Sequence, residues 1–214
     1  MHRKMVRPEE LKYDERGLVP CIVQDAATGE VLTLAWQSRE ALERTLRSGQ
    51  ATFWSRSRGE IWVKGATSGN TQAVRALRTD CDHDAVLLRV APAGPACHTG
   101  AQSCFFEAVE GAPDAPGAPG ETLARLEQVL RDRRSDAPAG SYTAKLYADE
   151  NLRHKKIGEE ATELVMASLR GDRQAVADEA ADVLYHVLVL LRTHDLGLEQ
   201  VAEKLRAREG RNPR

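Results

Sequence analysis

The chain has no apolar run long enough to cross a bilayer, and its opening residues, Met1 to Glu10, are charged rather than shaped like a secretory leader. Both absences set the expectation of a cytoplasmic protein with no membrane partner. Strong charge of either sign is missing too: 30 Lys and Arg face 32 Asp and Glu, a formal net charge of -2. That balance gives nucleic acid no global attraction, so none is expected as a partner and any anion site has to be built locally. Internal repeats are absent. Cysteine is scarce, with four residues all in the first half, and no two have the close spacing of a structural zinc pair. Three of them keep company with Asp and His, which favours reduced thiols over a disulfide framework.

What is present is an ordinary globular composition, 42% hydrophobic and 29% charged over 214 residues, enough for one large domain or two small ones. The tract Glu110 to Gly120 holds three of the nine prolines and nothing that builds a core, so residues 110–120 read as a Pro/Gly/Ala linker. Before it, short alternating or β-branched runs are broken by turn signals: Leu18 to Gln24, Val31 to Trp36, Ala51 to Trp54, Ile61 to Lys64, Ala73 to Arg78 and Ala85 to Val90. One helix interrupts them at Arg39 to Arg47, with Ser38 as N-cap and Gly49 as stop. After the linker the period becomes helical. Leu123, Leu126 and Leu130 form one stripe, a long helix carries Leu152 to Leu169 and ends near Gly171, a third runs from Val176 to Leu191, and a short fourth carries Leu198, Val201 and Leu205. The expectation is an α+β multidomain protein, with residues 1–109 mainly β and residues 121–214 all α.

In the first half, the pentapeptide Asp80-Cys81-Asp82-His83-Asp84 stands out. As an extended segment it would turn Asp80, Asp82 and Asp84 to one face and Cys81 and His83 to the other. Three aspartates on one face repel each other and ask for a hard cation. Cys81 has a continuation downstream in Cys97-His98-Thr99-Gly100 and Cys104, which is soft-metal chemistry. Three thiolates with an open position would make a catalytic site; His83 or His98 as a fourth ligand would make it structural, and His98 is alternatively a base beside the metal. Cys21, inside an apolar run, reads as a small buried hydrophobe.

The second constellation lies in the helical half: Glu159-Glu160-Ala161-Thr162-Glu163 and Asp178-Glu179-Ala180-Ala181-Asp182. Spacing of three places Glu160 with Glu163, and Glu179 with Asp182, on one helix face each. If the two helices form a hairpin about Gly171, Glu163 and Glu179 lie equally far from the turn, as do Glu160 and Asp182. Four carboxylates would then meet at the border of a core and hold Mg²⁺ or Mn²⁺. A plain solvated face, with Lys155 and Lys156 pairing Glu159 and Glu160, is the alternative. A third cluster, Ser55-Arg56-Ser57-Arg58 and Lys64-Gly65-Ala66-Thr67-Ser68-Gly69-Asn70, suits either an anion-binding loop or a polar hairpin tip. Trp54 and Trp62 are expected to pack across a hairpin.

These motifs carry a resemblance. Phe53 to Arg58, Trp62 to Gly65, Thr67 to Asn70, Asp80 to Asp84 and Cys97 to Cys104 resemble phosphoribosyl-AMP cyclohydrolase. Lys156 to Glu163 with Asp178 to His186 is similar to phosphoribosyl-ATP pyrophosphohydrolase. Together the halves resemble the bifunctional enzymes of the second and third steps of histidine biosynthesis. The resemblance implies Zn²⁺ on Cys81, Cys97 and Cys104, which activates water for attack at C6 of the adenine ring, and Mg²⁺ on Asp80, Asp82 and Asp84, which holds the substrate phosphate. Arg56, Ser57, Arg58, Lys64, Thr67, Ser68, Gly69 and Asn70 would line that pocket, with His98 among the catalytic residues. It implies a second Mg²⁺ on Glu160, Glu163, Glu179 and Asp182 for pyrophosphate release from the ATP moiety, with Lys155 and Lys156 neutralising phosphate. It also implies a homodimer whose zinc site is shared between chains. Ala66 stands where many relatives have Glu, so no acid role is assigned there. Two other readings stay open: a nucleotide house-cleaning pyrophosphohydrolase fused to a zinc deaminase, and a zinc-stabilised module without catalysis.

Overall fold

The computed structural model describes residues 5–113 and 117–209; residues 1–4 of the charged opening stretch, residues 114–116 of the Pro/Gly/Ala tract and residues 210–214 lie outside the described residues. The chain divides into two compact units, Met1–Glu121 and Thr122–Arg214. The first is strand-rich and the second is helical, an α+β arrangement.

In the first unit the elements are β1 (Leu18–Asp25), β2 (Val31–Ser38), α1 (Arg39–Ser48), β3 (Thr52–Ser55), β4 (Glu60–Val63), β5 (Gln72–Thr79) and β6 (Val86–Pro92). Each expected run is a strand to within two residues at either end. The sheet order is β2-β1-β6-β5, with β1 and β6 parallel and the outer pairs antiparallel. In β1 the alternation places Val19, Cys21 and Val23 in the core, each fully buried, against Leu88, Val90, Leu42 and Phe53. Cys21 is thus the hydrophobe its context suggested. The helix α1 starts where Ser38 Oγ accepts a hydrogen bond from Ala41 N and stops at Gly49, whose φ of 66° suits a residue without a side chain.

Strands β3 and β4 form a separate hairpin whose register sets Phe53 opposite Trp62 and Trp54 opposite Ile61. Both tryptophans thus lie across the hairpin as expected, each opposite a different residue, and Trp62 packs on Phe53 with ring centroids 5.3 Å apart. A correction concerns Asp80 to Asp84, which is a loop between β5 and β6 rather than an extended strand. Asp80 Oδ1 accepts hydrogen bonds from Asp84 N (3.1 Å) and Ala85 N (3.2 Å), and His83 takes a positive φ of 67°. A short acidic side chain that captures backbone N–H groups this way curls the chain into a turn, which competes with the strand ladder.

The helices are α2 (Pro119–Ser135), whose first three residues precede the division, then α3 (Tyr142–Ala148), α4 (Glu150–Arg170), α5 (Arg173–Thr193) and α6 (Leu198–Arg206) in the second unit. The first of these begins inside the 110–120 tract, and α3 is an element the leucine pattern did not announce. Leu130, Leu146, Leu188 and Val189 form the core; full burial of each such side chain is worth about 1.5–3 kcal/mol. Gly171, with φ 70°, ends α4, and Asp172 caps α5 by accepting from Gln174 N and Ala175 N, so the two long helices turn back on each other as a hairpin. No helix among the described residues is long and apolar enough to cross a membrane.

Candidate active sites

In the helical unit the hairpin brings Glu160, Glu179 and Asp182 together, each offering a carboxylate oxygen within 4.8 Å of the others. Glu160 is 5% exposed, and its Oε1 lies 2.5 Å from Lys156 Nζ and 3.8 Å from Nε2 of the buried His186. That hydrogen bond raises the Lys156 pKa, which keeps the ammonium charged. Burial, then the charges of Glu163, Glu160 and Asp182, raise the Glu179 pKa above the usual carboxylate range. Crowded, partly desolvated carboxylates with a single ammonium among them form an all-oxygen donor set that fits a hard divalent cation such as Mg²⁺.

Of the expected quartet, Glu163 is exposed and lies outside the group of close oxygens, though its charge acts on Glu179. Lys155 pairs with Glu159 at 3.0 Å on the surface, as the solvated-face alternative had it. His186 is the residue that sequence reasoning did not place. The signal was its spacing of four from Asp182 on the same helix, which puts both on one face.

In the strand-rich unit a cavity of about 970 Å³ is bounded by β2, the β3–β4 hairpin, the Lys64 to Asn70 loop and the segment from Ala96 to Cys104. Ser57, Arg58, Lys64, Thr67, Ser68 and Asn70 line it, together with Cys97, His98 and Cys104. Two expected members are not among its lining residues. Arg56 lies with its guanidinium carbon 4.7 Å from the centroid of Trp36, itself a lining residue, and Gly69 sits at the loop tip with φ 77°. Lys64 Nζ donates to Ala96 O at 2.7 Å, which ties the loop to the cysteine segment.

Cys97 accepts a hydrogen bond from Thr99 Oγ1 at 3.1 Å and has His98 Nδ1 at 3.8 Å. The Thr99 hydroxyl, helped by Cys104, lowers the Cys97 pKa and so favours the thiolate that a soft metal requires. Cys104 is held by its backbone N–H to Leu32 O at 2.8 Å. Cys81, exposed in the β5–β6 loop, does not line this cavity, and no group of three close ligand atoms among the described residues contains a cysteine. The expected face-to-face pairing of a thiolate side and a carboxylate side on one strand is corrected accordingly, because the segment is a turn. The same turn nonetheless gathers Asp80, Asp82 and Asp84 within 4.8 Å of one another. Desolvation pushes Asp80 up, but the Ala85 N–H and the Asp84 carboxyl outweigh it, so its pKa falls; the Asp80 hydrogen bond and the Asp82 charge raise that of Asp84. These three oxygen donors also fit a hard cation.

Comparison with known proteins separates the chain at the same place. Residues 33–106 match the phosphoribosyl-AMP cyclohydrolase family and residues 123–209 match the phosphoribosyl-ATP pyrophosphohydrolase family. A histidine biosynthesis bifunctional protein HisIE from Nostoc sp. is 51% identical over 208 residues, covering 96% of this chain and 95% of its own. The HisIE proteins of Bacillus subtilis and Thermosynechococcus vestitus are each 48% identical, covering 95% and 94% of this chain and 97% and 94% of their own.

Proposed function

The chain belongs to the family of histidine biosynthesis bifunctional proteins, a hydrolase with cyclohydrolase and pyrophosphohydrolase activities, and on that premise we propose how its residues divide the two reactions. In the helical unit Glu160, Glu179 and Asp182 hold Mg²⁺, with Glu163 beside them, and Lys156 and Lys155 offset the charge of the triphosphate. A cation held there would supply charge neutralisation and orientation for the triphosphate. Water adds at phosphorus, the bridging bond between the α and β phosphates breaks, and pyrophosphate leaves phosphoribosyl-AMP. The single observation that carries this half is the convergence of the carboxylate trio on the α4–α5 hairpin.

In the strand-rich unit Cys97 and Cys104 hold Zn²⁺, with Cys81 supplied by a second copy of the chain, so that a homodimer completes the site. The separation of Cys81 from the cavity that holds the other two thiols supports that arrangement. Zinc in such a site supplies a Lewis acid and lowers the pKa of water. His98 moves the proton, and Lys64, Ser68 and Asn70 position the nucleotide in the cavity. Asp80, Asp82 and Asp84 would hold a Mg²⁺, whose charge would favour the substrate phosphate. The water oxygen adds to C6 of the adenine ring, the C6–N1 bond breaks, and N1 keeps its ribosyl group. The exocyclic nitrogen stays on C6, so no ammonia is released. Water-soluble nucleotide substrates favour a cytoplasmic setting.

Incubation with phosphoribosyl-ATP and Mg²⁺, with pyrophosphate and the ring-opened product followed separately, tests the scheme. Both should appear in that order. Free ammonia in place of ring opening would instead mark a deaminase. For the shared site, Cys81→Ser and Cys104→Ser chains, each inactive in ring opening, should regain part of that activity when refolded together; a mixture as inactive as its components contradicts it.

A further inference from the structure

A phosphoribosyl-ATP pyrophosphohydrolase meets a discrimination problem that its carboxylate trio cannot solve. ATP carries the same triphosphate, and a site that reads only triphosphate and Mg²⁺ accepts both. The difference between them is the phosphoribosyl arm on the far side of the purine, which ends in a phosphate monoester. Selectivity therefore requires a second recognition site, away from the trio but within reach of one extended nucleotide.

The helical unit has such a place. A cavity of about 440 Å³ lies beside α3, lined by Arg133, Ser141, Tyr142, Thr143 and Tyr185 among others. The rings of Tyr142 and Tyr185 stand edge-on to His186 at centroid distances of 6.1 and 5.2 Å, and His186 Nε2 lies 3.8 Å from Glu160 Oε1. One imidazole thus separates the cavity wall from the carboxylate trio. At the cavity, Arg133 has no carboxylate partner among the described residues, unlike its neighbour Arg134, which pairs with Asp195. Arg133 Nη1 instead donates to Thr143 Oγ1 at 3.2 Å, and that buried hydroxyl also bonds Tyr185 Oη at 2.8 Å. Arg133 is exposed, its guanidinium is held by a neutral partner, and the rest of its fork is open to a ligand. A planar fork in that state suits a phosphate monoester, and the Ser and Tyr hydroxyls suit a ribose.

We propose that this cavity binds the phosphoribosyl arm of phosphoribosyl-ATP, with Arg133 on its terminal phosphate, and is the means by which the helical unit distinguishes that substrate from ATP. The assignment rests on the carboxylate trio being the triphosphate site. Thr143 is a positioning residue, which holds the fork in place through its two hydrogen bonds.

The test is steady-state pyrophosphate release by the full chain from three substrates: phosphoribosyl-ATP, its analogue lacking the arm's phosphate, and ATP. Loss of one charge-assisted fork is worth about 10- to 100-fold. For the wild type, removing the phosphate should lower kcat/KM by about that factor, mostly through KM, a comparison that needs no variant. Arg133→Met should lower the ratio of kcat/KM for phosphoribosyl-ATP over ATP by a similar factor and should no longer distinguish the phosphorylated from the dephosphorylated arm. Arg133→Lys should recover part of the ratio. Arg133→Met that keeps the full wild-type preference for the phosphorylated arm overturns the proposal alone. A wild type that releases no pyrophosphate from phosphoribosyl-ATP overturns the triphosphate assignment and this one with it.

Discussion

Gly65 closes the loop that carries Lys64, Thr67, Ser68 and Asn70 to the cavity of the strand-rich unit, and its replacement by Ala is the most quantitative test of that loop. Its φ is 81°, and a Cβ built on it would fall inside contact distance of the Asn70 carbonyl carbon and the Thr71 nitrogen, both backbone atoms. Gly59, in the β3–β4 turn, has a similar φ of 67° but open space around its Cβ position. A left-handed backbone costs an L-residue about 1–2 kcal/mol, and both substitutions incur it. Only Gly65→Ala adds a clash that main-chain movement must relieve, about 1–3 kcal/mol more. Gly59→Ala should therefore destabilise by about 1–2 kcal/mol and Gly65→Ala by about 2–5 kcal/mol. Urea unfolding followed by tryptophan fluorescence isolates the effect, because the three tryptophans, Trp36, Trp54 and Trp62, all belong to the strand-rich unit. Ring opening should fall in Gly65→Ala while pyrophosphate release persists. Equal destabilisation of the two variants, within about 0.5 kcal/mol, would refute the steric argument.

Two further predictions concern charge. Because the folded-state pKa of Glu179 is raised, its contribution to stability is present below the unfolded carboxylate pKa and is lost as pH rises through the raised value. The difference in melting temperature between metal-free wild type and Glu179→Gln, read from the helical circular dichroism signal, should thus shift in favour of the variant as pH rises across that window; Mg²⁺ should reverse the order, and a wild type that gains on the variant without metal would contradict the repulsion. Among the thiols, Cys97 has its pKa lowered by Thr99 and Cys104, while burial pushes that of Cys21 up to about 12. In chelator-treated native protein, mass spectrometry should find Cys97 alkylated more slowly in Thr99→Val than in wild type, and Cys21 modified only after unfolding; fast native labelling of Cys21 would contradict its burial.

Alternation and turn residues made the strands legible, since Val19, Cys21 and Val23 could only face a core, and Ser38 and Gly49 bracketed α1 by the same chemistry the structure uses. The α4–α5 hairpin followed from counting outward from Gly171, which put Glu160, Glu163, Glu179 and Asp182 near one another, and the structure gathers Glu160, Glu179 and Asp182. Three things were hidden. Asp80 bonds backbone N–H groups in its own loop, an interaction that alternation does not encode, so a turn looked like a strand. Seven residues of α3 are too few for a leucine stripe to repeat, and the Arg133–Thr143 cavity depends on that element. Cys81 and Cys97 resemble one motif in sequence, but a single fold of the chain places only Cys97 and Cys104 in the same cavity.

A paired-variant measurement tests most directly the proposed division of the two reactions between two chemically separate sites in one chain. Glu179→Gln should abolish pyrophosphate release from phosphoribosyl-ATP yet open the ring of supplied phosphoribosyl-AMP at a rate close to wild type. Cys104→Ala should do the reverse, releasing pyrophosphate and accumulating phosphoribosyl-AMP. Loss of both activities in either folded variant would contradict the division of labour.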